Sequence, residues 1–93
     1  LNNRPSDVDF TSDGNYLVTE EYDVVTEYDS NGNVIWNVTE ANLVLPPEMP
    51  SFSLINEADK LSNGNYLLTS ESEGIIEITP DYDIVFWLNE ING

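Results

Sequence analysis

Residues 62–69 read SNGNYLLT, and residues 12–19, fifty positions earlier, read SDGNYLVT. Each copy places an Asn-Gly or Asp-Gly pair, a strong short-range signal for a hairpin, directly before a run of strand-forming residues. Between residues 7–28 and residues 57–78, nine of the twenty-two aligned positions are identical. The sequence therefore predicts a β repeat whose period lies in the range of propeller blades.

Each repeat is expected to form four short strands joined by tight turns. Asp13-Gly14 predicts a type I′ turn, in which both central residues have positive φ. Pro80 is expected to open a type I turn at the corresponding place in the second copy. The predicted strands cover residues 8–10, 15–20, 23–28 and 33–38, then 52–59, 65–70, 74–79 and 84–88, and residues 1–6 precede them as a loop. With no helical period in either copy, we expect an all-β fold of two four-stranded antiparallel meanders, with little or no helix.

Three prolines, Pro46, Pro47 and Pro50, lie between the two copies. Proline cannot donate a hydrogen bond to a strand ladder, so this segment is unsuited to a sheet interior. The domain organisation expected is a first repeat at residues 1–39, a proline-rich connector at residues 40–51 and a second repeat at residues 52–93.

The repeats resemble the blades of arylsulfotransferase-like and quinoprotein-like β-propellers. The resemblance rests on the order of Asp59, the Asn-Gly-Asn hairpin at residues 63–65, a Leu-rich strand, the Ile-Glu-Ile segment at residues 76–78 and Trp87, and on the same order in the first copy. It implies propeller-type blades. It also implies catalysis through histidine in the enzymes, but this chain has no histidine, and two blades cannot close a ring around a ligand. The chain alone is therefore not expected to be an enzyme.

The charge balance restricts the partners. Two basic residues stand against eighteen acidic ones, giving a net charge of −16, which argues against nucleic acid or an anionic membrane surface as a partner. No stretch approaches the ~20 apolar residues of a membrane-spanning helix, so membrane insertion is not expected. The absence of cysteine excludes thiol catalysis and cysteine-based zinc sites. The two cations, Arg4 and Lys60, are candidates for ion pairs with acidic neighbours.

Asp29, Asn31 and Asn33 place side-chain oxygens at alternate positions, as calcium-binding loops do. The loop lacks the distal bidentate glutamate of such sites, and an Asn-Gly turn needs no metal. Both interpretations stay open, and no other cofactor is expected. Asn37 begins the glycosylation sequon Asn-Val-Thr, which would be used outside the cytoplasm. The predicted location is extracellular or at the cell surface.

Trp36 and Trp87 align when one inserted residue is allowed, and they predict either an inter-blade core or an aromatic groove for a sugar. The sheets are also expected to leave apolar faces open to water, built from residues such as Leu17, Val25, Leu67 and Ile75. Such faces favour a non-catalytic structural unit that self-associates as a homo-oligomer or filament, or that packs on flanking repeats of a longer chain. The alternatives are a two-blade part of a larger arylsulfotransferase-like or ligand-binding propeller, and a calcium- or carbohydrate-binding module.

Overall fold

The structure, a computed structural model, describes residues 5–71 and 73–89. Within these ranges the chain forms eight strands and one 3₁₀ turn, and it contains no α-helix. The elements are β1 Pro5–Phe10, β2 Tyr16–Glu20, β3 Val24–Tyr28, β4 Val34–Thr39, the 3₁₀ turn Glu40–Asn42, β5 Ile55–Lys60, β6 Tyr66–Ser70, β7 Gly74–Ile78 and β8 Ile84–Asn89. The predicted all-β fold is confirmed.

The strands form two antiparallel sheets of four, in the orders β1-β2-β3-β4 and β5-β6-β7-β8. We call them sheet 1 and sheet 2. Each is a meander, because short turns allow a strand to pair only with its neighbour in sequence. Every strand of sheet 2 begins and ends fifty residues after its counterpart in sheet 1, as β2 at residues 16–20 and β6 at residues 66–70 illustrate. The repeat seen in the sequence is thus a repeat of structure.

The turn that opens each repeat differs from the predicted type I′ turn. The Thr11 amide donates to the Asn15 carbonyl at 2.9 Å and the Gly14 amide to the Thr11 carbonyl at 3.1 Å. Gly14 has φ +91°, whereas Asp13 is not among the residues with positive φ. This is a three-residue loop built from a type I turn followed by a left-handed residue. The extra residue is accommodated because the Thr11 hydroxyl accepts the Asn15 amide at 2.9 Å.

The same loop recurs at Gly32, Gly64 and Tyr82, with φ values of 88°, 90° and 74°. Two consecutive residues with positive φ, as a type I′ turn requires, occur instead at Glu21 (52°) and Tyr22 (63°), where the sequence has no glycine. The Tyr22 carbonyl accepts the Ile55 amide at 2.8 Å, so a bond to sheet 2 helps to hold this turn.

Two predicted strand starts were wrong by three residues, and four others by one. The first strand begins at Pro5 rather than Val8, because the ladder to β2 continues past a bulge to Glu20. The fifth begins at Ile55 rather than Phe52. Phe52 and Met49 precede it and are fully buried in the core between the sheets, so this part of the connecting segment fills core volume. Arg4 lies outside the described residues.

Candidate functional site

The two sheets pack through unlike faces. Directly paired residues of antiparallel strands lie on one side of a sheet, so the register assigns the faces. In sheet 1, Glu27 pairs with Leu17 and Trp36, and we call this side the glutamate face. In sheet 2, Tyr66 pairs with Lys60 and Ile78, and we call that side the tyrosine face. The equivalent sides take the same names. Glu77 therefore lies on the glutamate face of sheet 2, and Tyr16 lies on the tyrosine face of sheet 1. The internal interface joins the glutamate face of sheet 1 to the tyrosine face of sheet 2.

Glu27 lies at the centre of this interface and is fully buried. Its carboxylate accepts hydrogen bonds from the Tyr66 hydroxyl at 2.5 Å, Asn15 Nδ2 at 2.7 Å and Lys60 Nζ at 3.0 Å. Lys60 also bonds to Asp13 at 3.1 Å. A buried carboxylate requires such partners, because an unpaired charge in a protein interior is strongly unfavourable.

The partners decide the protonation states. Burial alone would raise the pKa of Glu27, but the hydrogen bonds from Tyr66, Asn15 and Lys60 outweigh it, and the pKa lies below its usual value. Burial would likewise lower the pKa of Lys60, yet its bonds to Glu27 and Asp13 hold that pKa above the ordinary value. Burial, and then the hydrogen bond to Glu27, raise the pKa of Tyr66. At neutral pH the cluster is a carboxylate, an ammonium and a neutral phenol, which suits a structural bond rather than proton transfer.

Trp36 fills the other half of the interface. Its ring stacks on Tyr66 with centroids 3.7 Å apart and an interplanar angle of 2°. Its Nε1 donates to the Pro80 carbonyl at 2.9 Å, and the Tyr82 ring lies 6.0 Å away. The Tyr82 hydroxyl donates to the Asn37 carbonyl at 2.7 Å. The seat of Trp36 is therefore formed by Tyr66 and the turn between β7 and β8.

Trp87 does not occupy the equivalent position, and the predicted match with Trp36 was wrong. Trp36 pairs with Glu27, whereas the residue that pairs with Glu77 is Phe86. Trp87 pairs with Ile76 on the tyrosine face and packs against the core. The alignment with one inserted residue matched two tryptophans across opposite faces, because a shift of one residue reverses the side of a strand.

The expectation that Leu17 and Val25 lie on an open face of sheet 1 was wrong. Leu17 and Val25 are buried on its glutamate face, inside the interface. Leu67 and Ile75 are half-buried on the outer side of sheet 2, as expected. The two outer faces are the tyrosine face of sheet 1 and the glutamate face of sheet 2. They carry several exposed apolar residues, among them Val8, Phe10, Tyr16, Phe86 and Leu88.

A groove of about 540 Å³ lies on the tyrosine face of sheet 1. It is lined by Val8, Tyr16, Val18, Tyr28 and residues 29–32. At its side, Glu20 accepts hydrogen bonds from Thr26 at 3.2 Å and from the Tyr28 hydroxyl at 3.0 Å. The groove thus combines an apolar floor with a rim formed by the turn between β3 and β4.

An acidic cluster lies where β1 and β5 approach each other. Carboxylate oxygens of Asp9, Glu57 and Asp59 all lie within 4.8 Å of one another. Burial raises the pKa of Asp59, and the hydrogen bond and negative charge of Asp9 raise it further. Three carboxylates at this spacing could supply part of the coordination of a divalent cation, which prefers oxygen ligands. Aspartates 9 and 59 align in the repeat, but sequence patterns alone did not single them out as neighbours.

The structure brings Asp29, Asn31 and Asn33 together in one turn. Oδ1 of Asp29 accepts the backbone amides of Asn31 and Asn33, both at 2.9 Å, and its Oδ2 accepts Asn33 Nδ2 at 3.1 Å. The backbone bond from Asn33 is the main cause that lowers the pKa of Asp29. The carboxylate therefore stabilises the turn, and a calcium role for these residues stays a prediction. Asn37 is exposed on β4, and its glycosylation also stays a prediction.

Sequence reasoning did not identify the Glu27 cluster. The available signals were the identity of Glu27 and Glu77 in the repeat and the rarity of lysine, which made Lys60 one of two cations. Lys60 and Tyr66 are 33 and 39 residues from Glu27 in sequence, so no local pattern joins these residues to it.

Comparison with known proteins gives the fold and no function. No family model matches the chain, and no curated protein matches it. A solved structure of a protein of unknown function from Bacteroides caccae is similar, with a TM-score of 0.60 and 19% sequence identity over 88% of this chain. The chain spans 30% of the length of that protein. Within the described residues, no helix has the length and apolar character needed to cross a membrane.

Proposed function

We propose that the chain is a non-catalytic structural unit that self-associates by stacking its sheets. The supporting observation is that one sheet-on-sheet interface is complete inside the chain, while the outer face of each sheet carries exposed apolar side chains. Phe10 is 73% exposed on sheet 1, and Phe86 and Leu88 are 50% and 56% exposed on sheet 2. Exposed apolar residues that cluster on one face of a sheet are typical of an interaction site.

A structural role fits the chemistry of the buried polar groups. Glu27, the buried carboxylate at the interface, has three donors, and no buried side-chain nitrogen or oxygen of the described residues lacks a partner. A general acid or base needs a proton-transfer site open to substrate. The sequence also contains neither histidine nor cysteine. These features support a packing role, and the proposal places the unit in an extracellular or cell-surface protein.

The test is the mass of the protein in solution. Sedimentation velocity at micromolar concentration, in about 1 M NaCl to screen the net charge, should show species larger than one chain. In about 10 mM NaCl the association should weaken, because like charges then repel over a longer range. A single 10.5 kDa species at every concentration and salt level contradicts the proposal.

A second candidate is a two-blade part of a larger propeller that resembles the arylsulfotransferase-like proteins. The observation that favours it is that the chain spans 30% of the similar Bacteroides caccae protein. Flanking repeats would then cover the same two outer faces. The coding sequence on either side of this chain tests the idea, and a flanking repeat that contains histidine would favour it.

A further inference from the structure

The groove on sheet 1 corresponds to the seat that Trp36 occupies on sheet 2. Adding fifty to Tyr16, Ser30 and Gly32, which line the groove, gives Tyr66, Pro80 and Tyr82. These are the residues that contact Trp36, through ring stacking, the Pro80 carbonyl and the Tyr82 ring. The groove is therefore lined at the positions that, on sheet 2, hold the Trp36 ring.

The outer face of sheet 2 carries the matching aromatic residue. Phe86 pairs with Glu77 as Trp36 pairs with Glu27, and its side chain is half exposed. Glu77 accepts Asn65 Nδ2 at 2.9 Å, as Glu27 accepts Asn15 Nδ2. Around it, Leu67, Ile75 and Leu88 stand where the buried residues Leu17, Val25 and Val38 stand in sheet 1.

One of the two ion pairs of the internal interface, Lys60–Asp13, is replaced on both outer faces together. Lys60, which bonds to Asp13 and Glu27, corresponds to Phe10 on sheet 1. Asp13 corresponds to Asn63 on sheet 2. Phe10 lies 4.9 Å from the Tyr16 ring, much as Lys60 lies 5.6 Å from the Tyr66 ring. The cation and one of its carboxylate partners are thus both exchanged for uncharged residues, which leaves Glu77 as the carboxylate that the tyrosine face of the next copy has to satisfy.

We infer that two copies of this chain associate head to tail, with Phe86 of one copy seated in the groove formed by Tyr16 and residues 29–32 of the next. In this arrangement Tyr16 donates its hydroxyl to Glu77 of the neighbouring copy, as Tyr66 does to Glu27. The inference rests on the proposed self-association and specifies its geometry. Because each contact joins two different faces, repetition gives a ring if the rotation closes and a filament if it does not.

Blocked variants test the geometry. Phe86→Glu puts a charge on the glutamate face of sheet 2 and should prevent association through that face. Tyr16→Glu should do the same for the tyrosine face of sheet 1. Each variant alone should sediment as a single chain in about 1 M NaCl. An equimolar mixture should form dimers that do not grow further, because the two faces left unpaired in such a dimer both carry a blocking substitution. Val44→Glu is the control for added charge, because Val44 is 89% exposed in the connecting segment, and it should associate as the unmodified chain does.

A gain-of-function variant provides an independent readout. Phe10→Lys restores at the outer face the cation that Lys60 supplies inside the chain, so it should tighten association about tenfold through a charge-assisted bond to Glu77 of the next copy. Val44→Lys makes the same change in net charge and should have a much smaller effect. Adding Glu77→Gln to Phe10→Lys should remove the gain. Circular dichroism of each variant confirms that the fold is retained.

The outcomes separate the two proposals. If the unmodified chain associates and the blocked variants associate equally well, self-association stands and the head-to-tail geometry is overturned. If the unmodified chain is a single species but Phe10→Lys dimerises in a Glu77-dependent way, the geometry stands and the proposed function fails. If neither associates, the groove belongs to another occupant and the inference is overturned.

Discussion

The Tyr66 hydroxyl donates a 2.5 Å hydrogen bond to Oε1 of Glu27, which joins the second strand of sheet 2 to the third strand of sheet 1. Glu27 is fully buried and its other oxygen accepts Asn15 and Lys60. This carboxylate is therefore a buried polar tie between the two sheets, beside the apolar contacts of the core and the bonds of Trp36 and Tyr82. The strength of the tie can be measured against Glu77, which occupies the same strand position without the lysine and tyrosine partners.

Replacing Glu27 by Gln should destabilise the fold by about 2–4 kcal/mol, because it leaves Lys60 and Tyr66 without their buried carboxylate. The matched change Glu77→Gln should cost about 1 kcal/mol or less, since Glu77 is only half-buried and, among the described residues, is bonded to Asn65 rather than to a cation. Urea denaturation of both variants gives the free energies of unfolding. Equal losses for the two would mean that the contacts across the interface contribute little.

Gly64→Val should destabilise the protein by roughly 1–3 kcal/mol, because a β-branched residue is strained at the φ of +90° observed there. No heavy atom lies within 4 Å of the position of an added Cβ, so the cost comes from the backbone alone. Gly14→Val, at φ +91°, should behave alike. Gly64→Asn is the control and should lose less, since Asn tolerates left-handed φ. Thermal denaturation with Val and Asn variants melting together would exclude backbone strain as the cause.

Stability should rise as pH falls through the folded-state pKa of Asp59 and then decline in stronger acid. The pKa of Asp59 is raised above 3.8, so its contribution is present at low pH and lost as pH rises through the folded-state value. The pKa of Glu27 is lowered below 4.5, so its contribution is present above that pH and lost as pH falls through the folded-state value.

Variants assign the two limbs of this profile. Asp59→Asn should raise the melting temperature near neutral pH and flatten the rise towards acid, because it removes a carboxylate that lies against Asp9 and Glu57. Glu27→Gln should instead flatten the decline below pH 4.5. Melting temperatures measured across the range decide the matter, and an Asp59→Asn protein with the unmodified profile would show that the carboxylate cluster is already compensated.

Salt should stabilise the chain. With a net charge of −16, self-repulsion is screened between about 10 mM and about 1 M NaCl, and the melting temperature should climb steadily. An effect of millimolar Ca²⁺ should be separate and saturable if Asp9, Glu57 and Asp59 bind it, and Asp59→Asn is the variant that should abolish it. Equal melting temperatures at the two NaCl concentrations would indicate that bound ions already neutralise the surface.

The sequence predicted the strands and the repeat well because both depend on local spacing. A hairpin signal followed by strand-forming residues appears twice, fifty residues apart, and the structure repeats with the same offset in all eight strands. The turn type was predicted wrongly because Asp13-Gly14 is compatible with two hairpin loops. The loop observed is the longer, three-residue one, in which the Thr11 hydroxyl accepts the Asn15 amide.

The sequence by itself determined an acidic, all-β chain of two equivalent meanders, because strand periodicity and turn residues act within a few positions. Only the tertiary structure decided which face of each sheet is buried. Runs such as residues 16–18 are apolar on both sides of the strand, so alternation could not assign Leu17 to the interface and Tyr16 to the outside. The tertiary structure likewise decided that Lys60 and Tyr66 donate to Glu27 rather than to Glu77. The two glutamates occupy the same position in the repeat, so only the way in which the two sheets stack distinguishes them.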